Sequence, residues 1–216
     1  MIRPRSLAQL QDALDQELSW RKIELHALLQ AIRSASGRSK QSLLRAAVPI
    51  LYAHWEGFVK AGICLYINYL SSLGLKYRNT KQCFRGIAAL EHVRGLGGLT
   101  TKIFVGSELL KRLYDIENES FNVQLDRHIG KIGNLNFDLF EQILSFSAID
   151  VTRYVPRKQL IDESLLKRRN EIAHGRFIEL DEEGVLNLSG EVLTLIEWVK
   201  TDIENAASTQ SYCVRP

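Results

Sequence analysis

A chain of 216 residues can bury one sizeable core, and 45% hydrophobic and 25% charged residues with only 4 Pro exclude a disordered or fibrous polymer. The formal net charge of +3 is too small to imply nucleic-acid binding by itself, so the placement of charge carries more weight than its total. Three dispersed cysteines, Cys64, Cys83 and Cys213, without a C-x-x-C pair exclude a disulfide framework or a zinc cluster and point to a reducing, cytoplasmic setting.

The opening Met1-Ile2-Arg3-Pro4-Arg5 lacks an apolar signal core. Over residues 6–32, Leu7, Leu10, Leu14, Leu18, Ile23, Leu25, Leu28, Leu29 and Ile32 recur near three-and-four spacing behind Ser6 as an N-cap, which predicts a long amphipathic helix. Gly37 breaks the pattern, and residues 41–73 predict a second long helix, with Pro49 as a kink or restart. Two long helices joined by a short turn favour antiparallel packing. The most apolar run, residues 61–75, is interrupted by Asn68, Ser71 and Ser72 and is too short to span a bilayer, so no membrane role is expected.

Short helices are expected over residues 81–94, 106–116 and 136–146, with a break at 95–98 and a loop at 130–135. Pro156 bars helix at Val155. Residues 160–174 read as helix again, closed by Gly175 in the place a left-handed C-cap needs. Residues 176–180 and 185–188 then alternate about Asp181-Glu182-Glu183-Gly184, which predicts a small β-hairpin. Residues 190–207 predict a closing helix, and 208–216 a loose tail. The expectation is a single all-α domain over residues 1–216, ordered over about 6–207, with the hairpin just before the last helix.

Chemistry concentrates in the helix ending at Gly175. Lys167, Asn170 and His174 are three and four apart and share a stripe with Glu163 one turn earlier, while Leu165 and Ile172 lie on another face. Arg169 sits between those faces, and its long side chain can reach round to the polar stripe. Arg153, Arg157, Lys158, Lys167, Arg168, Arg169 and Arg176 gather around this helix, and an acidic stretch from Glu179 to Glu204 follows. Arg-to-His spacing of this kind also occurs at Arg21/His26 and Arg85/His92, so spacing alone decides nothing. The third instance differs in the polar Asn170 after the Arg, the small Ala173 before the His and Gly175 after it.

The string Arg169-Asn170-x-x-Ala173-His174-Gly175 resembles the signature of the HEPN superfamily (higher eukaryotes and prokaryotes nucleotide-binding). Asn134-Leu135-Asn136, Leu160-Ile161-Asp162-Glu163-Ser164-Leu165-Leu166, Ile203-Glu204-Asn205-Ala206-Ala207 and Tyr52-Ala53-His54-Trp55-Glu56-Gly57 are similar to its bacterial MAE-type branch. The resemblance implies an all-α bundle, a homodimer and metal-independent endoribonuclease activity, set among toxin–antitoxin or phage-defence systems, with an antitoxin or sensor protein as a possible partner. The HEPN toxins silenced by nucleotidylation carry a Tyr two residues beyond the His. Arg176 stands there in this chain, so that control does not carry over.

Arg169, Asn170 and His174 are the candidate catalytic residues. Cleavage without a metal needs a base for the 2′-hydroxyl proton, an acid for the leaving 5′-oxygen and a cation for the phosphorane. Imidazole, with an unperturbed pKa near 6.5, suits the proton steps, and the guanidinium fork suits the phosphate. One motif supplies one imidazole, so a two-fold dimer would bring a second to the other side of the phosphorus. Lys167, Arg168 and Arg176 are candidates for the RNA backbone, Trp55 for the core, and His54 and Glu56 for partners of His174. Cys83 and His92 lack a second ligand pair at metal spacing, and neither a metal nor another cofactor is expected. The alternatives are a catalytically silent HEPN module that binds a nucleotide or protein, and a purely structural helical adaptor.

Overall fold

The computed structural model describes residues 3–86, 88, 107, 110–112, 114–123 and 133–214. Helix α1 (Leu7–Ser34) begins where the Ser6 hydroxyl accepts the Gln9 amide at 3.3 Å, the expected N-cap. Helix α2 (Gly37–Ser72) does not restart at Pro49. Proline costs one backbone bond there, while Val48, Leu51, Tyr52 and Trp55 are buried around it and hold the helix in place. Further on come α3 (Phe137–Phe146), α4 (Arg168–Ala173) and α5 (Glu182–Ser208), and residues 82–86, 110–112 and 114–116 are also helical.

Helices α1, α2 and α5 pack against one another and form most of the core. Gly62 of α2 shows how tightly. A Cβ there would stand 3.0 Å from Ile203 Cδ1 of α5 and 3.5 Å from Leu14 Cδ2 of α1, so even a methyl would require the Ile203 side chain to give way. Helix α3 joins through Phe140, whose ring lies 4.9 Å from Trp55 and 5.0 Å from Tyr154. The Tyr154 hydroxyl, on a 3₁₀ turn (Thr152–Arg157), in turn donates to Asp202 of α5 at 2.5 Å.

The expected β-hairpin does not form. Asp181-Glu182-Glu183 is the start of α5 rather than a turn: Asp181 Oδ1 accepts the Gly184 amide at 2.6 Å, and two acids occupy the first turn, where the helix dipole favours them. Val185, Leu188 and Val192 are then buried at helical spacing, which overrides the short alternation of residues 185–188. Among the described residues there is no sheet, only isolated bridges at Lys76/Ser120 and Thr80/Cys213. The second bridge also shows that residues 209–214 are not loose. Tyr212 is buried, its carbonyl accepts the Lys81 amide at 2.8 Å, and Val214 donates to Asn79 at 3.1 Å. Residues 87 and 89–94 of the expected helix at 81–94, with His92, the break at 95–98, residues 106, 108, 109 and 113 of the helix at 106–116, and 130–132 of the 130–135 loop lie outside the described residues.

Candidate active site

The motif helix is not uniform. Residues Leu160–Lys167 form a π-helix that passes into α4. Its wider turns are rare and recur at functional sites. Ile161 and Leu165 are fully buried and Ile172 packs against the core, anchoring one face on α2. Gly175, at φ +76°, ends the helix as expected: its amide donates to Ile172 at 3.0 Å, and the Arg176 amide donates to Glu171 at 2.9 Å. This termination leaves His174 exposed on the last turn.

Asp162, Leu166, Lys167, Asn170, Glu171, His174 and Arg176 line one groove of about 340 Å³. The structure therefore brings Asn170 and His174 together on the polar stripe, with Lys167 and Arg176 at its edges. Among the described residues the His174 imidazole has no hydrogen-bond partner, which leaves both ring nitrogens available to a ligand. Asp162, absent from the expected set, also faces the groove. Its carboxylate is occupied by the Phe137 amide at 2.7 Å and by Lys158 at 3.3 Å.

Arg169 does not line the groove. Its guanidinium lies 4.4 Å over the ring of Tyr52 and donates to Asn170 Oδ1 at 2.6 Å. The reach round the helix expected from its length thus extends as far as Asn170. That contact fixes the amide: with Oδ1 accepting from Arg169, the Asn170 –NH₂ is the end left for the groove.

Tyr52 and Glu56, one turn apart on α2, form the floor beneath Arg169. The Tyr52 hydroxyl donates to Glu56 and accepts the Leu135 amide; Lys60 closes on the other Glu56 oxygen at 2.6 Å. Burial, reinforced by the Glu56 carboxylate, pushes the Tyr52 hydroxyl far above the ordinary phenol range and keeps it a donor. Burial opposes ionisation of Glu56, but the hydrogen bonds from Lys60 and Tyr52 outweigh it and hold the carboxyl below its ordinary value. Glu56 accordingly belongs with Tyr52 and Lys60, not with His174. Tyr52 was not singled out from sequence as a site residue, although its place one helical turn before Glu56 was a usable signal.

His54 is placed elsewhere altogether. It is buried against α1, its ring 5.3 Å from Trp20 and its Nε2 3.2 Å from Glu24, so it is not a partner of His174. Trp55 is fully buried in the core.

The basic cluster resolves into neutralised and available members. Arg153 pairs with Asp202, Arg157 with Glu191, Lys158 with Asp138 and Asp162, and Lys167 with Glu163. The acidic stretch that follows the motif thus supplies counter-charges for two of these arginines. Among the described residues, Arg168, Arg169 and Arg176 have no carboxylate partner, and all three flank His174 in sequence. Also among the described residues, no group of three His, Cys, Asp or Glu side chains converges as metal ligands would, and no helix is long and apolar enough to cross a membrane.

Compared with known families, residues 10–212 match the model of the MAE_28990-like HEPN family. The chain belongs to the HEPN family. Membership extends over nearly the whole chain and points to a nuclease or nucleotide-binding module. No curated protein and no solved structure matches this HEPN chain.

Proposed function

We propose that this HEPN protein is an endoribonuclease that cleaves RNA through its own 2′-hydroxyl and leaves a 2′,3′-cyclic phosphate and a 5′-hydroxyl. One observation carries the reading: Asn170 and His174 open on a single groove, and behind them Arg169, a cation with no carboxylate partner among the described residues, is hydrogen-bonded to Asn170. A phosphate seated there meets an imidazole and an amide donor, with an unspent guanidinium behind the amide.

In the proposed reaction an imidazole takes the 2′-hydroxyl proton, the 2′-oxygen bonds to phosphorus, and the P–O5′ bond breaks as an acid protonates the departing oxygen. A second His174, from a homodimer partner, serves as the other proton-transfer group, which makes the site composite. Arg168 and Arg176 contribute backbone attraction, and Lys167 contributes less because Glu163 already holds it. The setting we infer is cytoplasmic, as a toxin or defence effector restrained by a partner protein.

A second reading, a catalytically silent module that binds nucleotides, is favoured by one observation: Arg169 rests on Tyr52 rather than in the groove. One experiment separates the two. Purified protein and its His174→Ala variant are incubated with mixed RNA in chelator, and product ends are examined by mass spectrometry. Cyclic-phosphate ends from the wild type alone support the nuclease; binding without such ends, or equal cleavage by His174→Ala, overturns it.

A further inference from the structure

We propose that Tyr52 is a positioning residue for the Arg169 guanidinium, holding it beside Asn170 without neutralising it. The proposal rests on the nuclease reading for its kinetic consequences, but its geometric content stands apart from it.

An arginine side chain loses much rotamer freedom when it is fixed, so a guanidinium that must meet a phosphate gains from being held beforehand. A carboxylate would hold it well and cancel the charge that the phosphate requires. An aromatic face holds it by cation–π attraction and leaves the charge in place. Arg169 has the second kind of partner: the Tyr52 ring at 4.4 Å, with the neutral Asn170 oxygen as its hydrogen-bond acceptor among the described residues.

The ring is itself fixed. Tyr52 is 3% exposed, and its hydroxyl is held between Glu56 and the Leu135 amide, which ties α2 to the segment preceding α3. The carboxylate that holds the ring is itself occupied: the Glu56 oxygens are engaged by Tyr52, Lys60 and, at 3.3 Å, the Leu135 amide. Tyr52 therefore supports the guanidinium with its ring while its hydroxyl engages the Glu56 carboxylate.

The test compares Tyr52→Leu, which removes the aromatic face, with Tyr52→Phe, which keeps it. In the wild-type protein the Arg169 side-chain proton resonances are expected upfield under the Tyr52 ring current; the shift persists in Tyr52→Phe and disappears in Tyr52→Leu. With an oligoribonucleotide, Tyr52→Leu is expected to lower kcat about 10-fold to 100-fold with little change in KM, and Tyr52→Phe to recover most of the loss. Introduced into Arg169→Ala, Tyr52→Leu should cause no further loss per folded molecule, which separates positioning from mere destabilisation.

Unshifted Arg169 resonances in the wild type, or the same kinetic loss in both backgrounds, would overturn the assignment. Should the wild type cleave no RNA, the nuclease reading fails. The resonances and the affinity for the same oligonucleotide then decide: loss of the shift with weaker binding in Tyr52→Leu upholds Tyr52, and unchanged values reject it.

Discussion

Two Arg-to-His pairs with the same five-residue spacing sit in very different surroundings, Arg21/His26 on α1 and Arg169/His174 at the end of the motif helix. Arg21 is 4% exposed. It pairs with Glu17, donates to the Glu17 carbonyl at 2.6 Å and lies 4.3 Å over Trp20, so its charge is consumed by the fold. His26 faces solvent near Gln30. Arg169 is held by a ring and a neutral amide, and His174 opens on a groove shared with Asn170. The comparison teaches that one spacing serves two different ends, because the partners of the Arg decide whether its charge is available.

The largest contrast should come from the imidazoles. His174→Ala is expected to lower RNA cleavage about 100-fold or more, because a positioned acid or base is lost, whereas His26→Ala leaves the rate within about twofold; gel assays of product formation check both. Equal losses at the two positions would erase the distinction.

Next in size, Arg21→Leu should destabilise the fold by roughly 2 kcal/mol in urea unfolding, with cleavage per folded molecule unchanged. The figure is set below that of a fully buried pair because Glu17 is partly exposed. Arg169→Leu should do the reverse, reducing cleavage with little change in the unfolding midpoint.

Smaller effects follow from the surface cations. Arg168→Ala and Arg176→Ala should each weaken RNA binding and reduce the slope of log affinity against log salt by about one; Lys167→Ala, already paired with Glu163, should change it less. Fluorescence anisotropy across a salt series measures this.

The smallest effect belongs to His54, which packs beside the α1 pair. Burial lowers its pKa from the ordinary 6.5, Glu24 works in the opposite direction, and Arg21 adds to the lowering. The folded imidazole therefore binds its proton less readily than the unfolded one. Stability from this group is fully present above pH 6.5 and is lost as pH falls through the lower folded value. Melting temperatures measured downward from about pH 7.5 should show this decline, and His54→Gln should flatten it.

The N-cap at Ser6, the two long helices and the Gly175 stop were legible because each depends on local spacing or on one residue's backbone preference. The hairpin reading failed because four residues can alternate by chance, and α5 buries a helical face over a much longer span. Residues 209–214 were misread because only tertiary contact reveals what Tyr212 fills. His54 and Glu56 stand two apart on α2, so they project to different sides; from sequence either could serve as a partner of His174, and the fold gave one to α1 and the other to Tyr52 and Lys60.

By itself the sequence determined the family pattern, the helical class and the stripe that joins Asn170 to His174, since all three follow from residue type and from spacing along one helix. Only the tertiary structure decided which cations keep their charge available, because neutralisation depends on side chains brought in from distant segments, such as Asp202 to Arg153 and Glu191 to Arg157. It likewise decided where Arg169 rests. An arginine's long side chain can point several ways from one backbone position, and the ring of Tyr52, 117 positions earlier in the chain, selects among them.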